Sequence, residues 1–265
     1  MTKSHRVGVH RLERHSFTFT EDNLADESLV HLKLNDNRIT TLLATCDDLS
    51  HLWLGHIATE YGMALWPANA NLTQKHHQER GVTVNMESKG SPVLAEREQV
   101  VTSSCGACNK EDLPELLESL PVVDDLELDV TFDDVNTLLE QMREQQQGFK
   151  ETGGMHAAGM CYGVSAVEFV AEDIGRHNAV DKVIGRHISV HPTQRPIILL
   201  LSGRIGWDIV AKAARMNIPL IVSVGAASSL AAQTARFCNI TLLSFLSGGK
   251  SVVIGPHRGR LNTKT

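Results

Sequence analysis

Ile197-Ile198-Leu199-Leu200-Leu201-Ser202-Gly203-Arg204 decides the fold. Five apolar residues in a row read as a strand buried on both faces. The Ser-Gly-Arg that follows opens a helix expected to run to Met216. The same unit recurs on either side. Val164-Ser165-Ala166-Val167-Glu168-Phe169-Val170 is strand-like, and Asp173-Ile174-Gly175-Arg176-His177-Asn178 opens a helix to about His187. Residues 220–224 form a further strand, and Gly225-Ala226-Ala227-Ser228-Ser229 opens a helix to Phe237. Residues 240–245 and 251–254 close the chain as strands. Helices packed against a largely parallel sheet follow from this alternation.

Upstream the pattern changes. Residues 1–25 carry scattered histidines (His5, His10, His15) with little periodicity and are expected as an edge strand or mobile arm. Leu29-Val30-His31-Leu32-Lys33-Leu34 alternates, Asn35-Asp36-Asn37 turns, and Ile39-Thr40-Thr41-Leu42-Leu43-Ala44 returns, which is a hairpin. Thr45-Cys46-Asp47-Asp48 is placed to cap a helix to about Tyr61, ended by Gly62. Residues 81–84 and 92–94 are strand-like. A short helix is expected over 114–120, and a longer one over 133–147 with Gly148 in the stop position.

Composition sets the bounds. With 265 residues, 42% hydrophobic and 21% charged, the chain reads as an ordinary globular protein with ample length for a core. Its longest apolar run is far too short to span a bilayer, and the N-terminus leads into no apolar signal segment. Five cysteines, only two of them close together, argue for a reducing cytoplasm rather than a disulfide framework. The net charge of −6 argues against nucleic acid as a partner. Its distribution is uneven, because residues 175–260 hold eleven Lys/Arg against two acids, Asp181 and Asp208. That bias points to an anionic ligand for the C-terminal half.

The two close cysteines lie in Ser103-Ser104-Cys105-Gly106-Ala107-Cys108-Asn109-Lys110. Such a pair lowers one partner's pKa, and the thiolate is the useful nucleophile. A four-cysteine zinc ribbon needs a second close pair, and Cys46, Cys161 and Cys238 are isolated. A redox pair of the thioredoxin kind expects a helix to start at the motif, which Asn109-Lys110-Glu111-Asp112-Leu113-Pro114 does not favour. In the second half, three successive strand-to-helix turns carry glycine, and two carry arginine with it. On parallel strands these turns share one sheet edge, where phosphate-bearing ligands bind. Asp173 and Asn178 offer acceptors and a donor to a purine-like edge, and Arg176 and Arg204 suit an anion. No Walker loop or dinucleotide fingerprint is present.

Ser103-Ser104-Cys105-Gly106-Ala107-Cys108, Thr152-Gly153-Gly154-Met155-His156-Ala157-Ala158, Glu172-Asp173-Ile174-Gly175-Arg176-His177-Asn178-Ala179-Val180-Asp181-Lys182 and Ser202-Gly203-Arg204 together resemble the FdhD family of formate dehydrogenase accessory sulfurtransferases. The resemblance covers nearly the whole chain from about residue 25. It implies an α/β (α+β overall) architecture: a cytidine-deaminase-like mixed sheet flanked by helices over residues 111–265, with a smaller N-terminal α+β region over residues 1–110. It also implies a function. Cys105 would carry a persulfide taken from a cysteine desulfurase, with Cys108 assisting transfer to the molybdenum (or tungsten) bis(pterin guanine dinucleotide) cofactor of formate dehydrogenase. The cofactor segment would be Phe245, Leu246, Ser247, Gly248, Gly249 and Lys250. A guanine nucleotide pocket, with GDP or GMP as a mimic, would gather Met155, Asp173, Gly175, Arg176, His177, Asn178, Lys182, Ser202, Gly203 and Arg204. Such proteins are cytoplasmic homodimers with no resident metal.

Two positions depart from the family pattern: Asn109 stands where glycine is usual, and Ser247 where arginine is usual. Deaminase chemistry is not expected, since Ala158 occupies the position of the required glutamate and no proline precedes Cys105. The alternatives to sulfur transfer are a cofactor-binding chaperone with incidental cysteines and a thiol-disulfide oxidoreductase.

Overall fold

The structure, a computed structural model, describes residues 4–62, 71–77, 81–88, 100–101 and 113–262. With elements numbered in chain order, the apolar run at 197–201 supplies β10 (Ile198–Leu201). Together with β8 (His156–Cys161), β9 (Phe169–Asp173), β11 (Leu220–Ser223), β12 (Thr241–Ser247) and β13 (Lys250–Ile254) it forms a six-stranded sheet in the order β13-β12-β11-β10-β8-β9. β10, β11 and β12 are parallel, while β8 is antiparallel to both its neighbours, β10 and β9. β9 therefore runs with β10, and the sheet is mixed.

Both faces are covered. Leu199 and Leu201 join a core with α5 (Arg176–Val190), α6 (Trp207–Arg215) and α7 (Ser229–Phe237). Ile198 and Leu200 point the other way, into a second core with α3 (Phe132–Glu144). That is why the run is continuously apolar rather than alternating.

The N-terminal half forms a five-stranded sheet. β3 (Ser28–Leu34), β4 (Asn37–Ala44), β5 (Asn71–His77), β6 (Gly81–Glu87) and β7 (Val100–Val101) lie in the order β5-β6-β3-β4-β7. β3 and β4 make the expected hairpin, with Asn35 and Asp36 at positive φ in the turn. Helix α1 (Leu49–Tyr61) follows, ended by Gly62 at φ 89°. Asp48 is its N-cap, and its carbonyl accepts from Leu52 N at 3.0 Å, but its side chain bonds no helix amide. Its carboxylate instead holds His51 and, at 2.6 Å, Arg186 Nε.

Four expectations are corrected. Residues 1–25 are neither an edge strand nor an arm but a ribbon. β1 (Ser4–Glu13) and β2 (Ser16–Ala25) pair antiparallel along their whole length, exposing Leu12, Phe17 and Phe19. The strand expected over 164–170 begins only at Phe169. Before it, the Gln141 amide accepts from Val167 N at 3.0 Å and donates to Ser165 O at 3.2 Å, taking the place of a neighbouring strand. Gly148 does not stop a helix. α3 ends at Glu144, and Gly148 sits inside α4 (Gln147–Thr152), where its N–H donates to Glu172 Oε2 at 2.7 Å. A Cβ there would crowd Glu172 and Met155 at 3.2 Å, so absence of a side chain serves close approach rather than termination. The fourth correction is an omission: β8 and β5 were not expected. The expected strand over 92–94 lies outside the described residues. A short α2 (Leu113–Glu118) stands where a helix was expected.

The two halves meet through α1 and α5, and glycines set the distance. A Cβ on Gly55 would overlap the Asp181 carbonyl, and one on Gly185 would overlap the His51 carbonyl. Each helix thus presents bare backbone to the other. Gly185→Ala is expected to destabilise the fold by about 1–3 kcal/mol or more through overpacking. Alanine at exposed Gly153 meets no atom within 4 Å, but its φ of 69° makes it a poor control. Gly163 has no atom within 4 Å and no positive φ, and Gly163→Ala should leave the urea midpoint unchanged.

Buried ion pairs lock the same seam. Lys212 Nζ meets Asp181 at 2.7 Å, Glu60 at 3.0 Å and Thr59 Oγ1 at 2.8 Å. Lys182 Nζ meets Asp47 at 2.6 Å and Asp173 at 2.7 Å. Arg260, also buried, donates to Asn239 O at 2.7 Å. The basic bias of the C-terminal half, expected to serve an anionic ligand, is therefore partly spent on this internal bracing.

Candidate functional site

The topology gathers five chain segments at one sheet edge. β9, β10, β11 and β12 end there, and antiparallel β8 begins there. The turns after these strands pack backbone to backbone. A Cβ on Gly225 would lie 2.8 Å from Gly203 C and 2.9 Å from Arg204 N, so glycine is what lets the β10 and β11 turns touch. Ser223 Oγ ties them by donating to Gly203 O and accepting from Gly225 N at 2.9 Å. Phe245 N donates to Gly225 O at 3.0 Å, bringing in the end of β12. On the other side, Gly203 abuts His156, with Nδ1 3.0 Å from where its Cβ would stand. His156, Ser202, Gly203, Arg204 and Phe245 are thus contiguous.

The expected cofactor segment is a bulged hairpin. Phe245 holds φ 56°, and Gly248 and Gly249 hold φ 56° and 76° in the turn. Phe245, Ser247, Gly248, Gly249 and Lys250 are exposed. Leu246 is not available as a contact: it is 3% exposed and belongs to the core under α3.

Several expected pocket residues have interior roles instead. The Asp173 carboxylate is fully buried and accepts from Gly175 N at 2.8 Å, Asn178 Nδ2 at 2.9 Å and Thr45 N at 3.2 Å, beside Lys182. It has no face to offer a purine. The Asn178 amide nitrogen is spent on donating to Asp173 and to Leu43 O at 2.8 Å. Lys182, completely buried, braces Asp47 and Asp173 and also donates to Thr45 O and Glu172 O. His177 is buried against Asp208, and burial, with Arg176 and Lys212 nearby, pushes its pKa down to about 3. Asp173, Asn178 and Lys182 join the end of the N-terminal hairpin to α5, and His177 joins α5 to α6 through Asp208. The Gly175 amide, expected to be open to phosphate, is likewise taken by Asp173. Sequence supplies the residue types here, but not which face of the turn they occupy.

What does face the edge is cationic and half-open. Arg204 is exposed, and the Arg176 side chain is 31% exposed, 4.0 Å from Asp208. Arg176 Nε and Trp207 Nε1 are buried without a hydrogen-bond partner among the described residues. Burial first, then Arg176 and Arg204, push the His156 pKa below its ordinary value, so its ring is neutral at pH 7. Behind His156, between α3–α4 and the sheet, lies a cavity of about 350 Å³ with Met155 and Ser202 in its lining. Sequence reasoning missed its other polar members, Arg143 and Gln146, because nothing in a helix pattern marks which residues end over a gap. Among the described residues, no group of His, Cys, Asp and Glu is arranged to hold a metal.

The cysteines divide clearly. Cys161 and Cys238 are fully buried, and burial pushes their thiols up to about 12 and about 11. Cys46 is half-buried, and burial also raises it. None of the three is a thiolate near neutrality. Cys105 and Cys108 lie outside the described residues. The strand before them is described: β7 pairs parallel with β4, Val100 opposite Thr41 and Val101 opposite Leu42. β4 runs toward Thr45, whose N–H reaches Asp173 and whose Oγ1 accepts from Ile174 N at 3.1 Å.

Comparison with known proteins gives consistent matches. The sequence model of the FdhD/NarQ family matches residues 25–261. A protein named sulfur carrier protein FdhD from Corynebacterium efficiens is 32% identical over 250 residues, covering 86% of this chain and 87% of its own. One of the same name from Sulfurisphaera tokodaii is 31% identical over 264 residues, covering 97% of this chain and 98% of its own. Among solved structures, a protein described as a formate dehydrogenase accessory protein from Desulfotalea psychrophila superposes with a TM-score of 0.74. That match covers 98% of this chain and 100% of the other at 20% identity, and it speaks for the fold.

Proposed function

The chain belongs to the FdhD/NarQ family, and from that premise we propose that it is a sulfur carrier for the maturation of formate dehydrogenase, loaded at Cys105. The relatives' name supports the carrier role, and the accessory role given to the superposed Desulfotalea protein supports the client. The observation that carries the assignment to a residue is the β7–β4 register. Val101 stands beside Leu42, on a strand heading for Thr45 and the α5 end of the sheet edge. Cys105 is four residues further on, at most about 14 Å of extended chain. The three described cysteines support it by elimination, since all are held as thiols.

The chemistry balances with two cysteines. The Cys105 thiolate attacks the terminal sulfur of a persulfide on a cysteine desulfurase. That S–S bond breaks, the desulfurase leaves as thiolate, and a new S–S bond makes Cys105 the persulfide. Attack by the Cys108 thiolate on the inner Cys105 sulfur then forms a Cys105–Cys108 disulfide and releases hydrosulfide. A cellular thiol reduces the pair for the next round. The acceptor is the molybdenum or tungsten bis(pterin guanine dinucleotide) destined for formate dehydrogenase. Arg176, Arg204 and Lys250 at the sheet edge suit its phosphates, and the Phe245–Gly249 hairpin offers exposed backbone to it. The protein works as a homodimer in the cytoplasm. No described helix is long and apolar enough to cross a membrane.

Incubation with a cysteine desulfurase and radiosulfur-labelled cysteine should leave about one label per chain, released by excess thiol. Protein that stays unlabelled while the desulfurase turns over contradicts the carrier reading and favours a cofactor-binding chaperone.

A further inference from the structure

The first turns of α5 and α6 meet beside the sheet edge. Arg176 and His177 open α5, Trp207 and Asp208 open α6, and the approach of Arg176 and His177 to Asp208 closes the junction. Two N–H donors are left bare there. Trp207 is 7% exposed, and among the described residues neither its indole Nε1 nor the enclosed Arg176 Nε has a hydrogen-bond partner. Buried donors without acceptors are costly and few, so a pair of them at one junction points to an occupant with lone pairs. The helix amides are already engaged: Asp208 accepts from its own N–H and from Ile209 N–H, and Asp173 takes Gly175 N. The Arg176 side chain as a whole is 31% exposed, which opens the junction to solvent on one side.

The charges nearby decide which acceptor fits. Arg176 is the cation, and Asp208 beside it opposes it. His177 is neutral, its pKa pushed down to about 3 by burial and then by Arg176 and Lys212. Lys212 is held by Asp181 and Glu60. One cation set against one carboxylate does not compensate a buried dianion such as phosphate. A singly charged, weakly hydrated ion fits better, and sulfur lies well at the edge of an aromatic ring, where the indole N–H also points. The place agrees with the chemistry. Thr45, toward which β4 carries the strand before Cys105, touches Asp173 and Ile174, and Arg176 is two residues further on.

We propose that Arg176 Nε and Trp207 Nε1 bind the hydrosulfide ion freed when the Cys105–Cys108 disulfide forms, keeping it at the sheet edge for the acceptor. No covalent bond forms or breaks in this step: the ion accepts two hydrogen bonds and keeps its own proton. The source of the ion rests on the carrier reading, whereas the binding itself does not depend on it. The site lies on the α5–α6 face of the sheet, across from the cavity under α3 and α4.

The tryptophans Trp53, Trp66 and Trp207 each give an indole N–H resonance, and Trp207→Phe assigns the one that matters by removing it. Titration of the reduced whole chain with millimolar sodium hydrosulfide under argon should shift the Trp207 resonance saturably. That of Trp53, whose Nε1 already donates to Lys33 O, should stay in place. Inorganic phosphate should not move the Trp207 resonance. In calorimetry, Trp207→Phe and Arg176→Lys, which keeps the charge but not the Nε donor, should each weaken hydrosulfide binding about tenfold or more. Variants are compared only if they melt with the parent protein, and the resonance shift in the parent stands without them. A Trp207 resonance that stays put, an equal shift with phosphate, or undiminished affinity in folded variants overturns the proposal. Sulfur labelling of Cys105 without hydrosulfide binding sinks only this inference. Hydrosulfide binding without labelling sinks only the carrier reading.

Discussion

Cys105→Ser is expected to bring sulfur delivery to background, a loss of roughly three orders of magnitude or more. A serine hydroxyl cannot hold a sulfane sulfur, and no described cysteine can substitute. Cys161 and Cys238 are buried with pKa values pushed to about 12 and about 11, and burial raises Cys46. The decisive contrast is with Cys108→Ser. If Cys108 acts only in release, that variant should still take label from the desulfurase yet fail to restore formate dehydrogenase activity in cells lacking the native carrier. Equal loss of labelling in both variants would assign loading to the pair rather than to Cys105. Full activity in Cys105→Ser would leave the cysteines incidental.

Asp181→Ala should be the most damaging interior substitution. Asp181 and Lys212 are both completely buried, 2.7 Å apart, at the junction of α1, α5 and α6. Removing the carboxylate leaves an ammonium in the core with Glu60 as its remaining ion-pair partner. Loss of one partner of a buried pair costs about 3–5 kcal/mol. For a chain of this size that lowers the melting temperature by roughly 6–20 °C. The pair need not be a net gain over apolar residues, so Asp181→Leu with Lys212→Met should recover much of the loss. Recovery would show that the damage is an orphaned charge; none would show that the seam needs the ions themselves.

The pH dependence follows from the same pair. Burial raises Asp181, but Lys212 and His56 outweigh it, and its folded pKa is below the ordinary carboxylate value. Its contribution is therefore complete above the ordinary carboxylate range and lost as pH falls through the depressed value. Burial lowers Lys212, but Asp181 and Glu60 outweigh it, so its folded pKa is raised. Its contribution is complete below the ordinary lysine range and lost as pH rises through the raised value. In Asp181→Ala the acid-side loss attributable to this carboxylate should disappear from urea midpoints measured across pH.

Much of this architecture was legible in the residues, for identifiable reasons. The run at 197–201 is apolar on both parities because both sheet faces are covered. The β3–β4 hairpin showed itself by alternation and by Asn35-Asp36, which tolerate the left-handed turn. β8 was hidden because His-Ala-Ala-Gly-Met-Cys lacks the β-branched residues that mark strands. The fold needs those small residues. A Cβ on Gly159 would press on Val167 at 3.1 Å and on Leu200 and Met142 at 3.3 Å. The start of β9 was misplaced because a side chain, Gln141, captures backbone groups that a strand pattern would assign to the sheet.

The site was legible at the level of segments and less so at the level of side chains. The turns at Asp173, Ser202 and Phe245 do share an edge, as parallel strands require. Charge signs in a sequence do not say which cation meets which anion, so Lys182 and Asp173 read as ligand contacts when they are partners of each other. Gln146 and Val224 face one cavity from positions far apart in the chain, which no local pattern reports.

Peptide-level mass spectrometry of the desulfurase-treated protein, with thiols and persulfides trapped by alkylation, tests the central claim most directly. The account predicts one added sulfur atom on the peptide containing Cys105, and none on those containing Cys46, Cys161 or Cys238. Sulfur found on any of those three, or an unmodified Cys105 peptide beside an active desulfurase, would contradict it.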